Sequence, residues 1–231
     1  MTVYHLVGPT WSRAFRCIWM MEELGIQYTL HESMPSSAAV KKHNPSGKVP
    51  VLLEYEDQQS SLLEDSRPSF VLAESAAINT YLGESFGSNI IPGSAREKAL
   101  YDQTILFILS EIDGQALWTY RKHAELGKYF GHLPEIEEPC KAHFEKMNKL
   151  MSDQLEDSGG PYLLGKDFTA ADILYVHCLG WAKSYDWHHS YSERLLDYVT
   201  LCLQRPGYQK AKAIRDDTTK RTSVQDINAK I

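Results

Sequence analysis

The chain has 231 residues, enough for one large domain or two smaller ones, and its 43% hydrophobic content supports a packed core. A net charge of −6 argues against nucleic acid as a main partner, and no apolar run approaches the roughly 18 residues of a membrane span. The start, Met1-Thr2-Val3-Tyr4-His5-Leu6-Val7, lacks the basic and long apolar regions of a signal peptide, and the scattered Cys17, Cys140, Cys178 and Cys202 make no C-x-x-C or zinc spacing, so a reduced, cytoplasmic protein is expected.

Val3–Val7 reads as a short strand, broken by Gly8-Pro9. Residues 12–24 form an amphipathic pattern with Phe15, Ile18, Trp19, Met21 and Leu24 toward a core, and Gly25 stands where a C-terminal cap belongs. A second strand over 27–30, a weak helix over 36–43, a third strand over 51–54 and a fourth at Phe70–Ala73 follow, then a helix over 76–85. The polar stretch 55–69, with Asp57-Gln58-Gln59-Ser60-Ser61, is long for a hairpin and reads as a flexible excursion. The order β-α-β-α-β-β-α predicts an α/β sheet domain.

Residues 87–94, with Pro92-Gly93, mark a composition break and the expected linker. Beyond it every apolar pattern is helical, over 95–126, 133–156, 169–185, 192–204 and 208–214, with Pro134 suited to a first turn. The polar tail 215–231 reads as disordered.

Three motifs carry chemistry. Asn44-Pro45-Ser46-Gly47-Lys48-Val49-Pro50 is a turn running into the apolar Val51-Leu52-Leu53, and Pro50 belongs at or just before the strand start. A cis Val49-Pro50 bond would turn the backbone N–H and C=O of Val49 outward, ready to pair with an extended peptide. In Ala73-Glu74-Ser75-Ala76-Ala77-Ile78 a strand ends and Ser75 reads as the N-cap of a helix, whose free N–H groups and dipole suit a carboxylate. Glu74 is placed to pair with an ammonium group. Pro9-Thr10-Trp11-Ser12 stands at the start of the first helix, where a bound thiol is acidified by the dipole and by a hydroxyl donor.

With their spacing, these stretches resemble the glutathione transferase family. The resemblance extends to Trp19-Met20-Met21-Glu22-Glu23-Leu24-Gly25, to Asn79-Thr80-Tyr81-Leu82, and to Tyr162-Leu163-Leu164-Gly165-Lys166-Asp167-Phe168-Thr169-Ala170-Ala171-Asp172, where Thr169 and Asp172 suit a capping box. It implies a thioredoxin-like α/β N-terminal domain over 1–86 and an all-α C-terminal domain over 95–214, followed by the polar tail 215–231. It also implies a cis Pro50, glutathione contacts at Lys48, Val49, Pro50, Glu74 and Ser75, and a homodimer. Thr10-Trp11-Ser12-Arg13 is similar to the serine-bearing members, which makes Ser12 the candidate catalytic residue, with Thr10, a backbone N–H or no catalysis as alternatives. No tyrosine or cysteine stands at the corresponding place, since Tyr4 is inside the strand and Cys17 inside the helix.

The activity implied is conjugation of the glutathione thiolate, glutathione being a co-substrate, to a small hydrophobic electrophile. Trp11, Trp118 and Tyr120 are candidates to line that electrophile's site, with core packing as the alternative. A glutathione-dependent isomerase or reductase, or a non-catalytic binding protein on the same fold, are the other readings. No metal site is expected. Trp187-His188-His189 invites one, but adjacent histidines point apart on a helix or strand, so an exposed loop is expected there.

Overall fold

The computed structural model describes residues 2–58 and 67–228, with side chains through residue 218. The centre of the excursion expected over 55–69 lies outside the described residues, as do the last three residues of the tail. Two compact units emerge. One comprises the described residues up to Ser88 together with those from Leu203 onward, and the other runs Asn89–Cys202.

The first unit contains β1 (Val3–Val7), α1 (Ala14–Leu24), β2 (Tyr28–His31), α2 (Ala38–Lys41), β3 (Val51–Tyr55), β4 (Phe70–Ala73) and α3 (Ser75–Ser85). The four strands form one sheet in the order β2-β1-β3-β4. β1 and β2 are parallel, whereas β3 runs antiparallel to β1 and β4 antiparallel to β3. This is a thioredoxin-like sheet, the domain type that the family resemblance implied. β3 is buried along its whole length because both faces of the sheet are covered. Val51, Leu53 and Tyr55 cluster with Val7 and with Val40 of α2. By the two-residue alternation Leu52 and Glu54 point to the opposite face.

α1 is buried from Ala14 to Met21, not along one stripe. The reason is the C-terminal segment, which corrects the expectation of a short helix over 208–214 and a disordered tail. Residues from Pro206–Asn228 form one helix, here called the closing helix, and it packs along α1. Tyr208 sets its ring edge-on to Trp19 at 4.9 Å and to Phe15 at 5.9 Å. Arg205 grips Glu23 with Nε at 2.9 Å and Nη2 at 2.8 Å, and the Trp19 indole N–H donates to the same carboxylate at 2.9 Å. Gly207 allows this approach, since a Cβ there would lie 2.6 Å from the Glu23 carboxyl carbon.

In the second unit α4 (Ala95–Phe107) passes into a π-helical stretch over Ile108–Trp118 and returns to α geometry in α5 (Thr119–His123), where a single regular helix was expected. α6 (Gly127–Phe130), α7 (Glu137–Asp157), α8 (Ala170–Ser184) and α9 (Glu193–Leu203) follow. α7 starts later than expected, which places Pro139 in its first turn, where no intrahelical N–H is needed. α8 is the core of this unit and is anchored at its start by Asp172. Asp172 Oδ2 accepts from the Thr169 N–H at 2.8 Å and the Thr169 hydroxyl at 3.0 Å, and Oδ1 accepts from the Leu163 N–H at 3.0 Å and the Tyr198 hydroxyl at 2.9 Å. Among the described residues no helix is long and apolar enough to cross a membrane.

Candidate glutathione site

The sheet register gathers the three motifs at one end of the first unit. Val7 lies opposite both His31 and Val51, and Val51 lies opposite Ala73. The chain therefore leaves β1 and β2, enters β3 and leaves β4 all at the same edge. Thr10 to Ser12, Lys48 to Pro50, and Glu74 to Ser75 occupy those connections.

Gly8 sets the closeness of the first two. Its φ of +144° and the space around it both require glycine, because a Cβ there would meet Ala14 Cβ at 2.9 Å and Val49 Cβ at 3.0 Å. The 44–50 turn is built by Asn44, whose Oδ1 accepts from the Ser46 N–H at 3.2 Å and hydroxyl at 2.8 Å, while its Nδ2 donates to the Lys48 carbonyl at 2.9 Å. Gly47 adopts a φ of +70°. The Val49-Pro50 bond is cis. Lys48 is exposed, Val49 half-buried and Pro50 buried. Val49 enters no hydrogen bond among the described residues, so its N–H and C=O can pair with an extended chain.

At the third motif the structure corrects one detail. Ser75 is the first residue of α3, and Glu74 is the N-cap, with φ 71° and ψ 116°. A non-glycine residue at positive φ costs on the order of 1–3 kcal/mol, and such strain concentrates at functional sites. The conformation leaves the Glu74 side chain exposed and buries Ser75. The first intrahelical bond is from the Ile78 N–H to the Glu74 carbonyl at 2.9 Å, so the N–H groups of Ser75, Ala76 and Ala77 precede the helical ladder. Ser75 Oγ accepts from Nη1 of the fully buried Arg16 at 3.4 Å. Arg16 was missed in the sequence because it lies on a helix read as amphipathic, on the side that α3 covers. Asn79 of α3 also donates to the Arg16 carbonyl at 3.3 Å, tying α1 to α3 beside Ser75.

Ser12 is half-buried, and its hydroxyl donates to the Pro9 carbonyl at 2.7 Å while Oγ accepts from the Ala14 N–H at 3.1 Å. Thr10 is buried, and its N–H at 3.2 Å and hydroxyl at 3.1 Å both donate to Glu32 Oε1. Cys17 is fully buried, and burial drives its thiol far above the ordinary range, so it is not a nucleophile.

Trp11, in the first unit, is exposed. In the second unit Trp118 is half-buried, with its ring edge-on to Phe130 at 6.2 Å. Tyr120 turns its ring into its own unit, 4.6 Å from Tyr185 and 5.0 Å from Trp187, which is a packing arrangement. The histidines at 188 and 189 lie in the loop expected there. Asp186 has a φ of 62°, the backbone is neither helix nor strand, and the two rings lie side by side, tilted by 32° with centroids 4.6 Å apart.

Residues 11–85 match the family described as glutathione S-transferase, N-terminal domain. The chain is similar to the glutathione S-transferase-like protein OpS6 of Beauveria bassiana (strain ARSEF 2860), at 25% identity over 185 residues that cover 74% of each chain. Its fold is similar to that of Ure2p5 from Phanerochaete chrysosporium, cocrystallized with 1-(S-glutathionyl)-2,4-dinitrobenzene, at a TM-score of 0.76 and 17% identity over 95% of this chain and 97% of that one. It is also similar to a glutathione transferase homologue from Sulfitobacter with bound glutathione, at a TM-score of 0.68 and 17% identity over 92% and 98% of the two chains.

Proposed function

Since residues 11–85 match the glutathione S-transferase N-terminal domain family, we propose that this chain is a glutathione S-transferase that binds glutathione at the gathered end of its sheet and transfers the thiolate to an electrophilic carbon of a small hydrophobic molecule. The observation that carries this reading is the convergence on one edge of three complementary groups. The backbone of Val49 pairs with the extended peptide, and the N–H groups and hydroxyl of Ser75 hold the γ-glutamyl carboxylate. The exposed Glu74 carboxylate receives the ammonium group, Lys48 supplies a cation at the open side, and buried Pro50 shapes the turn. The electrophile rests against Trp11, which is exposed in the same unit. The same reading has the protein working in the cytoplasm as a homodimer, for which the exposed Phe70 and Val71 of edge strand β4 offer apolar surface.

Between the two hydroxyls near the start of α1, energetics favour Ser12 as the thiolate's partner. Rotating the Ser12 O–H away from the Pro9 carbonyl gives up a neutral hydrogen bond worth about 1 kcal/mol and gains one to a charged group worth about 1.5–3 kcal/mol. Thr10 already donates to a carboxylate, so the same exchange gains nothing. With Ser12 as donor the charged thiolate is favoured over the thiol. It attacks the substrate carbon, a C–S bond forms, the leaving group departs with its electron pair, and the thiol proton passes to solvent.

Retention on glutathione-agarose together with turnover of chlorodinitrobenzene, which releases chloride, tests the reading. Ser12→Ala is expected to lower kcat/KM at least about tenfold, the equivalent of 1.4 kcal/mol of thiolate stabilisation, while retention persists. Unchanged turnover would move the role elsewhere. Retention without turnover in the wild-type chain favours a non-catalytic glutathione-binding protein, a reading that the engaged protons of Ser12 and Thr10 support.

A further inference from the structure

The turn between α8 and α9 brings together three side chains that the glutathione site does not use. Asp186 Oδ1 lies 3.5 Å from His188 Nδ1, and Asp186 Oδ2 lies 3.1 Å from His189 Nε2. One ligand atom from each of the three residues falls within a span of 4.8 Å. We propose that the Asp186-Trp187-His188-His189 turn binds a divalent late first-row cation, with Zn²⁺ the best chemical match.

Ligand type supports this choice. Two imidazoles and one carboxylate suit zinc rather than the all-oxygen shells of magnesium or calcium. A tetrahedral ion with bonds of about 2.0–2.1 Å separates its ligands by about 3.3–3.4 Å, and the two measured edges, 3.1 and 3.5 Å, bracket that distance. The third edge, between the imidazoles, closes by side-chain rotation, which the exposure of Asp186 and His189 permits. Three protein ligands leave a fourth position open to water.

Local structure supports it as well. His188 Nδ1 is shielded from solvent and makes no hydrogen bond to a described residue, so no other partner competes with an ion for it. Trp187, almost fully buried between the ligands, anchors the turn by packing on Phe144 and Tyr185. The left-handed Asp186 and this buried ring aim both imidazoles to one side. Lys141 is the nearby cation that acts on Asp186, and its influence is the weakest of those present.

The test is calorimetric titration of the chelator-treated full chain with Zn²⁺, without glutathione, which itself binds zinc. Saturable uptake of one ion is expected, weakened at least tenfold in His189→Gln and in Asp186→Asn, with chlorodinitrobenzene turnover unchanged. Lys141→Ala is expected to tighten uptake. Substitution with Co²⁺ is expected to give the visible absorption of a four-coordinate site in the wild-type chain and not in His189→Gln. Absence of saturable uptake, or uptake that both ligand variants leave intact, would overturn the assignment.

Discussion

His5 and His31 meet across β1 and β2 with Nδ1 and Nε2 3.0 Å apart and ring centroids separated by 4.9 Å, and Tyr55 covers His5 from 5.0 Å. One proton fits between the two nitrogens. Burial lowers the pKa of both histidines, and His31 adds to the effect on His5. His43 is lowered too, by burial first, then by Lys42 and His31. The unfolded chain therefore takes up protons on these residues near pH 6.5 while the folded chain resists them. Stability is full above that pH, falls as the pH drops toward the folded-state values, and levels off below them. Urea unfolding is expected to show a lower midpoint at about pH 5.5 than at about pH 7.5, with a smaller difference in His31→Gln. Equal differences in the two proteins would remove this pair as the cause.

The closing helix shows how an element with little apolar character finds its place. Its mean composition is polar, yet it presents Tyr208, Ala211 and the aliphatic part of Arg215 to α1, with the Arg215 guanidinium 4.5 Å from the Phe15 ring. These contacts finish the burial of α1 and explain why Trp19 has no exposed surface. Replacing Tyr208 by Ala removes two edge-on aromatic contacts and much of the cover on Trp19, a loss of about 2 kcal/mol. A lower thermal midpoint with Trp19 fluorescence shifted to longer wavelength is the expected outcome. An unchanged midpoint would mean that α1 is held by the sheet and α3 alone. The Glu23–Arg205 grip acts on the same pair of helices, so its loss and that of Tyr208 are expected to couple rather than add.

On the scale of the whole molecule, each unit has its own fastening. In the first it is the sheet with α1 between α3 and the closing helix. In the second it is Asp172, a fully buried carboxylate that collects donors from the 162–169 segment, from α8's own start and from α9. Burial raises its pKa, and the bonds from Leu163, Thr169 and Tyr198 oppose that rise. Asp172→Ala leaves these donors buried without an acceptor and is expected to cost at least about 3 kcal/mol. Heat-induced unfolding followed by circular dichroism checks this, and a native-like midpoint would refute it. If glutathione binds as proposed, it is expected to raise the thermal midpoint of wild-type protein by mass action.

Local chemistry made much of this legible from the sequence. The period-two and helical patterns located the four strands among the described residues and the principal helices, Gly25 marked the end of α1, and the Thr169–Asp172 spacing marked the start of α8. Those signals act between residues close in the chain, so sequence alone carries them. Three things were decided only by contacts across the chain. α1 is buried all round because a segment some 180 positions later covers it. Glu74 rather than Ser75 caps α3 because the backbone there adopts a positive φ, which glutamate does not advertise. His188 and His189 converge because buried Trp187 and left-handed Asp186 turn the chain out of any regular element, and the rule that adjacent side chains diverge holds only within one.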